Sequence, residues 1–168
     1  MLIKQKNLKL IKRLIVLFVM LLITATLSAP IMGMAYVNNN YSYTFNIPVG
    51  GRGHCTTSKY RSTTNIQNTW KVNMSYSDEP TKAHPDGSTQ TASKFLLGAK
   101  KDGDKYYSTA SSLYTVLEGS GNHYYPTKSN ASKADTRLYA EDNGGATSEY
   151  TVKGTWDEET GKIYGEDV

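Results

Sequence analysis

The sequence predicts an all-β protein: an antiparallel β-sandwich of about seven or eight short strands, preceded by an N-terminal hydrophobic signal helix. Apolar and polar residues alternate with a period of two in several segments after residue 40, which is the pattern of half-buried strands. Residues 36–168 contain 41 Ser, Thr and Asn residues, of which Thr favours strands while Ser and Asn compete with helical hydrogen bonds. Turn residues separate the segments at short intervals. A closed β-barrel is the alternative architecture.

The two clearest strands come early in the chain. In residues 41–47, the apolar positions are Tyr41, Tyr43, Phe45 and Ile47. In residues 66–76, the apolar positions of one parity are Ile66, Trp70, Val72, Met74 and Tyr76. If the four residues from Trp70 to Tyr76 are buried on one face, each contributes roughly 1.5–3 kcal/mol to the stability.

Shorter segments predict the remaining strands. They are residues 95–99, 105–107, 113–117, 136–141, 150–156 and 162–164, with 123–125 as a further candidate inside a long loop. The pair Asp102-Gly103 predicts a hairpin between 95–99 and 105–107. The run Asn143-Gly144-Gly145 predicts a second hairpin, which pairs 136–141 with 150–156.

Residues 1–35 have the features of a secretory signal peptide. They contain five basic residues and no acid, followed by an apolar run of about 14 residues, fewer than the roughly 20 that a membrane-spanning helix needs. Gly33 and Ala35 are small residues at the positions that precede a cleavage between Ala35 and Tyr36. We therefore predict a secreted protein that meets the membrane only through its leader, before cleavage. An uncleaved membrane anchor is the alternative.

Residues 36–168 are predicted to form one secreted domain, with an ordered core from about residue 41 to residue 164. Leu, Ile, Val and Phe make up only 16 of these 133 residues, whereas all 13 tyrosines and both tryptophans lie among them. Because an aromatic side chain buries about 150–250 Å², we expect a thin core that is rich in tyrosine. The 14 basic and 15 acidic residues nearly cancel, which argues against a basic nucleic-acid-binding protein.

The basic residues of this domain are unevenly placed. Residues 36–77 contain Arg52, Lys59, Arg61 and Lys71 but no acid. If these four residues shared one face, that face would attract anionic wall polymers or lipids. Neutralisation by neighbouring strands is the alternative, and it is the one we favour.

No catalytic residue, metal ligand or cofactor is predicted. Cys55 is the sole cysteine, so we expect a free thiol. A cysteine–histidine dyad would need the fold to bring His84 or His123 to Cys55, because the neighbouring His54 points to the opposite side of an extended chain. The three histidines lack metal-ligand spacing, and the acids lie mostly in turns. We therefore expect no enzyme, and a hydrolase is the least favoured function.

Two pairs of adjacent tyrosines are the candidate binding residues: Tyr106 with Tyr107, and Tyr124 with Tyr125. In an extended chain, adjacent side chains point to opposite sides, so one ring of each pair is expected at the surface. Exposed rings offer a surface on which sugars or extended peptides bind. The alternative is that the tyrosines replace missing aliphatic residues in the core and bridge its edge, and it is the one we favour.

Four segments resemble those of a known family. They are Tyr60–Thr64, Asn68–Asn73, Gly119–Tyr125 and Tyr150–Asp157. Over about residues 41–164, the chain resembles a family of small secreted proteins of Gram-positive bacteria that is known as a domain of unknown function. The resemblance implies a signal peptide and a secreted domain. It supplies neither a substrate nor site residues.

The sequence favours a non-catalytic binding or interaction module that is secreted or associated with the cell envelope. The expected partner is an extracellular ligand, either a cell-wall polymer, a glycan or a peptide. A secreted antagonistic factor of the bacteriocin type, or an accessory to such a factor, is the alternative.

Overall fold

The computed structural model describes residues 39–80 and 91–165, which form two antiparallel β-sheets that share one core. Their strands are β1 (Tyr41–Ile47), β2 (Arg52–Cys55), β3 (Lys59–Arg61), β4 (Trp70–Ser77), β5 (Ala92–Lys100), β6 (Ser108–Thr109), β7 (Tyr114–Leu117), β8 (His123–Tyr125), β9 (Ala134–Asp142) and β10 (Tyr150–Asp157). A 3₁₀ turn, Ser129–Ala131, precedes β9. The predicted all-β sandwich is confirmed. Because the strands remain in two separate sheets, the closed-barrel alternative is wrong.

The two sheets differ in how their edges are built. Sheet A has the strand order β1-β10-β4-β8. Sheet B has six strands with β9 and β5 at its centre, since β2 and β3 both pair with β9, and β6 and β7 both pair with β5. The edges of sheet A are therefore β1 and β8. One edge of sheet B is formed by β2 and β3, which the sequence did not predict.

The core lies between the sheets and is built by alternate residues of the longer strands. Its largest buried apolar side chains are Trp70, Trp156, Phe45, Phe95, Ile47, Met74, Leu97, Leu138, Val72 and Val116. Tyrosine contributes less than expected. Among the described tyrosines, Tyr43 and Tyr150 are buried in the core, and Tyr41, Tyr114 and Tyr125 pack against it. Tryptophan and phenylalanine thus supply most of the aromatic core.

Strand β4 follows the predicted alternation through its first half only. Its buried residues Trp70, Val72 and Met74 share one face, but Tyr76 is 42% exposed, so its predicted burial is wrong. The register against β10 shows the cause, because Ser75 is an extra residue with no residue opposite it. Such a β-bulge shifts the alternation by one residue and turns Tyr76 away from the core.

The segment before β4 pairs with the C-terminal segment instead of extending the strand. Ile66 lies in a turn and is exposed. Asn68 forms an isolated bridge with Ile163, and the Thr69 N–H donates to the carbonyl oxygen of Lys162 at 2.8 Å. The predicted last strand over residues 162–164 is therefore reduced to a bridge.

One of the two predicted hairpins is correct. β5 and β6 pair around the turn at Asp102-Gly103, although the return strand begins at Ser108 and not at Lys105. The predicted hairpin between β9 and β10 is wrong, because β9 lies in sheet B and β10 lies between β1 and β4 in sheet A. The turn at Asn143 therefore carries the chain from one sheet to the other. The apolar faces of β9 and β10 meet across the core instead of lying side by side.

A buried polar cluster joins the end of β10 to the segment that follows β3. The buried guanidinium of Arg61 donates hydrogen bonds of 2.5, 3.0 and 2.5 Å to the carbonyl oxygens of Glu158, Asn65 and Asn68. The Glu159 carboxylate accepts hydrogen bonds from the backbone N–H groups of residues 62 and 63. We call Arg61, Glu159 and these partners the Arg61 clamp. It connects the last strand of sheet A to an edge strand of sheet B.

The ten strands belong to one compact unit, Tyr36–Val168. Its core residues lie between Tyr43 and Trp156, so this unit contains a core of its own. The predicted signal peptide, with its cleavage between Ala35 and Tyr36, lies outside the described residues. Within residues 39–80 and 91–165, no helix is long and apolar enough to cross a membrane.

Candidate functional site

A cleft of about 330 Å³ opens between one edge of sheet A and one edge of sheet B. On one side lie residues 41–45 of β1, and on the other lie residues 55–57 and Lys59, which join β2 to β3. Trp156 of β10 completes the lining. The cleft exists because the two edges are not paired with each other: β1 pairs with β10, whereas β2 and β3 pair with β9.

The wall formed by β1 is aromatic toward the core and carries hydroxyl groups toward solvent. Tyr43 and Phe45 are buried, and their stacked rings have centroids 5.0 Å apart. Ser42 and Thr44 alternate with them and are exposed. Burial raises the pKa of Tyr43, whose hydroxyl donates a hydrogen bond of 2.9 Å to the carbonyl oxygen of Asn73. This hydrogen bond fixes the Tyr43 ring as part of the wall.

The opposite wall is attached to sheet B by backbone and side-chain hydrogen bonds. The Thr56 N–H donates to the Leu138 carbonyl oxygen at 3.1 Å, and the Thr56 hydroxyl accepts from the Leu138 N–H at 3.0 Å. The neighbouring Thr57 is exposed. A substitution at Thr57 therefore changes the cleft without altering the core.

Lys59 gives the cleft its charge, since among the described residues it is the one charged side chain in the lining. Its Nζ lies 4.0 Å from the centroid of the Tyr41 ring, which is a cation–π contact. Within the described part of the chain, no carboxylate forms an ion pair with Lys59. The ion pair that is present there joins Arg52 to Glu141. The lining thus presents an ammonium group and no acid.

The other basic residues of the first strands do not form a positive face. Arg52 is neutralised by Glu141, Arg61 is buried in the clamp, and Lys71 is buried opposite Asp157. Neutralisation by a neighbouring strand, the favoured alternative, therefore describes Arg52, whereas Arg61 and Lys71 are removed from the surface by burial. Lys59 is the exception.

Cys55 is a free thiol and is partly buried. Arg137 donates from Nη1 to the Cys55 Sγ at 3.5 Å, and its guanidinium carbon lies 4.4 Å from the centroid of the Tyr107 ring. Of the two histidines considered for a dyad, His123 hydrogen-bonds a serine hydroxyl. The other, His84, lies outside the described residues.

The four tyrosines predicted to bind a ligand are divided between the two sheets. Tyr106 and Tyr107 precede β6 of sheet B, and Tyr106 is 71% exposed. Tyr124 and Tyr125 belong to β8 of sheet A and are both partly buried. Tyr125 stacks on Tyr114 with 3.8 Å between ring centroids. None of the four lines the cleft.

The described residues contain no group of three or more His, Cys, Asp or Glu side chains placed to hold a metal ion. Two acids do lie together at the end of β10, where Asp157 and Glu158 are both buried. Burial raises the pKa of both, and that of Glu158 reaches about 7 because the neighbouring Asp157 adds to the effect of burial. Neither acid lines the cleft.

We expect the thermal stability of the domain to fall as the pH rises from about 4.5 to about 7. In this window the folded chain still holds the Glu158 proton, whereas the unfolded chain, with the ordinary pKa of 4.5, has released it. The stabilisation is complete below the unfolded pKa and is lost as the pH passes through the folded pKa. The measurement is the melting temperature across this window for the wild type and for Glu158→Gln, which does not titrate.

In Glu158→Gln, the melting temperature should depend less on pH than in the wild type. The matched control is Glu149→Gln, because Glu149 is exposed and its substitution should leave the pH dependence unchanged. Equal pH dependence in the wild type and Glu158→Gln would contradict the role assigned to the buried carboxyl group.

A model of a protein family of unknown function, DUF2712, matches residues 31–160. The matched range contains all ten strands and every residue that lines the cleft. The chain belongs to the DUF2712 family. No curated protein and no solved structure matches it. The expected resemblance to a family of unknown function is therefore confirmed, while secretion and an origin in Gram-positive bacteria stay predictions.

In this DUF2712 member, sequence reasoning did not find the cleft. The tyrosine pairs are the candidates that the sequence offers because adjacent rings are conspicuous in it, whereas the cleft depends on which strands fail to pair. The available signal was β1 itself, a strand of seven residues without charge or proline, followed at a short distance by the cation Lys59.

Proposed function

We propose that residues 36–168 form a secreted, non-catalytic binding module whose ligand lies in the cleft between β1 and residues 55–59. One observation carries the proposal: two sheet edges face each other without pairing and leave a cavity of about 330 Å³. Sites for small ligands typically have volumes of roughly 300–1,000 Å³. The cavity is therefore large enough to take a small ligand or a short stretch of a polymer.

The chemistry of the lining supports binding. Buried aromatic residues provide apolar surface, while Ser42, Thr44 and Thr57 provide exposed hydroxyl groups around them. Among residues 39–80 and 91–165, the lining includes neither a histidine nor a carboxylate, the commonest groups for general acid–base catalysis. This composition supports a role in binding over a role in hydrolysis.

The leader sequence supports an extracellular location for this module. Its five basic residues, short apolar run and small residues before Tyr36 are typical of a secretory signal. An exported binding module would meet cell-wall polymers, glycans and peptides, and these three classes are the ligands to test.

We expect Thr57→Trp to weaken ligand binding roughly tenfold or more, because the indole would occupy the cleft while Thr57 itself is exposed. The measurement is a pull-down, followed by titration, of residues 36–168 against purified peptidoglycan, anionic wall polymers and a displayed peptide library. The matched control is Thr115→Trp, which places the same indole at an exposed position of β7 that is not part of the cleft.

The control variant should bind like the wild type. If no probe binds residues 36–168, or if Thr57→Trp binds every probe as tightly as the wild type, the cleft is not the binding site and the proposal fails.

A further inference from the structure

We infer that the ligand of the cleft is an extended, acidic peptide that adds a strand to the free edge of β1. This inference rests on the proposed function and specifies its ligand. It follows from the geometry of β1, from the second wall of the cleft and from the charge of Lys59.

Strand β1 is regular over its whole length. All seven residues pair with β10 in an unbroken register, from Tyr41 opposite Trp156 to Ile47 opposite Tyr150. A strand at the edge of a sheet pairs on one side, so its remaining backbone N–H and C=O groups point away from its partner. On β1 these groups point away from β10, toward the side of the sheet on which residues 55–59 lie.

Strand β1 itself carries none of the local devices that usually protect an edge strand, and what lies beside its edge is the wall formed by residues 55–57 and Lys59. Such devices include charged side chains, proline, a bulge, or a very short strand. Residues 41–47 contain neither a charged residue nor a proline, and their register contains no bulge. The other edge of sheet A shows the contrast, because β8 has only three residues, His123–Tyr125. The unpaired edge of β1 therefore offers backbone groups for strand addition within the cleft.

The second wall of the cleft decides what kind of strand can enter. A strand added to β1 would lie about 4.7–4.9 Å from it, on the side where residues 55–57 form the opposite wall of the cleft. A strand that belonged to the sheet of a second copy would bring its own neighbours into collision with that wall. A single extended peptide has no such neighbours. A glycan lacks the row of alternating amide donors and acceptors that β1 would pair with.

The charge of the lining selects among peptides. The Lys59 ammonium has three donors, and its contact with the Tyr41 ring leaves donors available for a carboxylate. Because residues 41–45 line the cleft, the bound peptide has about five residues and a length of about 17 Å. The favoured ligand is thus a short extended peptide with at least one Asp or Glu.

The test uses peptides selected from a displayed library of random linear sequences on immobilised residues 36–168. Each selected peptide is synthesised unmodified, with N-methyl groups at its odd positions, and with N-methyl groups at its even positions. In an added strand only alternate N–H groups point toward β1. One methylated form should therefore lose binding roughly tenfold or more, while the other should bind within about twofold of the unmodified peptide.

The variants separate the parts of the inference. Thr57→Trp should lose binding as described above, and Thr115→Trp should keep it. Lys59→Gln should weaken binding about three- to tenfold and abolish the preference for acidic sequences. Binding of acidic peptides that is equally tight in Lys59→Gln would overturn the assignment of the charge.

Failure of this inference is distinguishable from failure of the proposed function. If peptides bind in a Thr57-dependent way but both methylated forms bind like the unmodified peptide, strand addition is wrong and the cleft still binds. The same conclusion follows if only peptidoglycan or an anionic wall polymer binds in a Thr57-dependent way.

A dimer of residues 36–168 that Thr57→Trp dissociates would make a second copy the occupant. If Thr57→Trp changes the binding of no probe, both proposals fail.

Discussion

Replacing Arg61 with leucine is expected to lower the free energy of unfolding by roughly 3–5 kcal/mol, because the guanidinium is buried and hydrogen-bonded on several sides. It donates to three carbonyl oxygens, those of Glu158, Asn65 and Asn68. Without Arg61, the carbonyl groups of Glu158 and Asn68 lose this donor inside the fold, whereas that of Asn65 keeps the hydrogen bond from the Asn68 N–H. An unsatisfied buried acceptor costs about 1–3 kcal/mol. The measurement is chemical denaturation of residues 36–168, followed by tryptophan fluorescence.

Two variants sharpen this experiment. Arg61→Lys keeps the charge but lacks the planar, forked set of donors, so it should recover only part of the loss. Arg52→Leu is the matched control, because Arg52 is also a strand arginine but its side chain is 60% exposed in its ion pair with Glu141. Its loss should stay within about 1 kcal/mol. An Arg61→Leu variant as stable as Arg52→Leu would show that the Arg61 clamp does not stabilise the fold.

The second large effect is expected from Gly154→Ala, at roughly 3 kcal/mol, the upper end of the usual cost of overpacking. Gly154 lies in the middle of β10, between β1 and β4. A methyl group there would overlap the carbonyl oxygen of Asn73 and would come within 2.7 Å of the Tyr43 hydroxyl. Because the overlap involves backbone, relief requires a shift of β10 against β4.

The control for Gly154→Ala is Gly145→Ala, in the turn that links the two sheets. The atom closest to a methyl group at Gly145 is the Glu79 Oε1, at 4.0 Å, so the change should stay within about 0.5 kcal/mol. Tyr43→Phe in the Gly154→Ala background should recover part of the loss, since it removes one of the two overlapping groups. Unfolding of Gly154→Ala at the same denaturant concentration as Gly145→Ala would refute the close approach of β4 and β10.

The sequence predicts the strands of this fold better than their partners. The alternation in β1 and in the first half of β4 places Phe45, Trp70 and Met74 in the core, because burial on one face needs a period of two. The bulge at Ser75 has no such signal, and it reverses the orientation of Tyr76. Strands β2 and β3 were missed because Arg-Gly-His-Cys and Lys-Tyr-Arg lack alternating apolar residues.

The sequence does not show which strand each strand pairs with, and this is also why the predicted hairpin between β9 and β10 is wrong. A turn containing Asn143 and two glycines fits a hairpin within one sheet and equally a connection from one sheet to the other. Alternation shows that each strand has an apolar face, but it does not show whether two such faces lie side by side or meet across the core. The partner is decided by packing of the whole domain, which short-range patterns do not contain.

The cleft is hidden from sequence reasoning for the same reason. Its residues come from two neighbouring segments, 41–45 and 55–59, and from the distant Trp156, which joins them only when β1 pairs with β10. The charge asymmetry of residues 36–77 pointed to Lys59 as one of four cations. It did not show that the other three are neutralised or buried.

The position of β10 also shapes the order in which this chain folds. β10 is the last long strand of the chain, yet it lies inside sheet A, between β1 and β4. Its residue Trp156 pairs with Tyr41, which is 115 positions earlier in the sequence. Contacts of such long range make folding slow, since the entropy of closing large loops is lost before the contacts form. A nascent chain, or one threaded across a membrane from its N-terminus, therefore lacks half of its sandwich until residues 150–157 emerge. Folding of the domain is thereby deferred until β10 is free to pair.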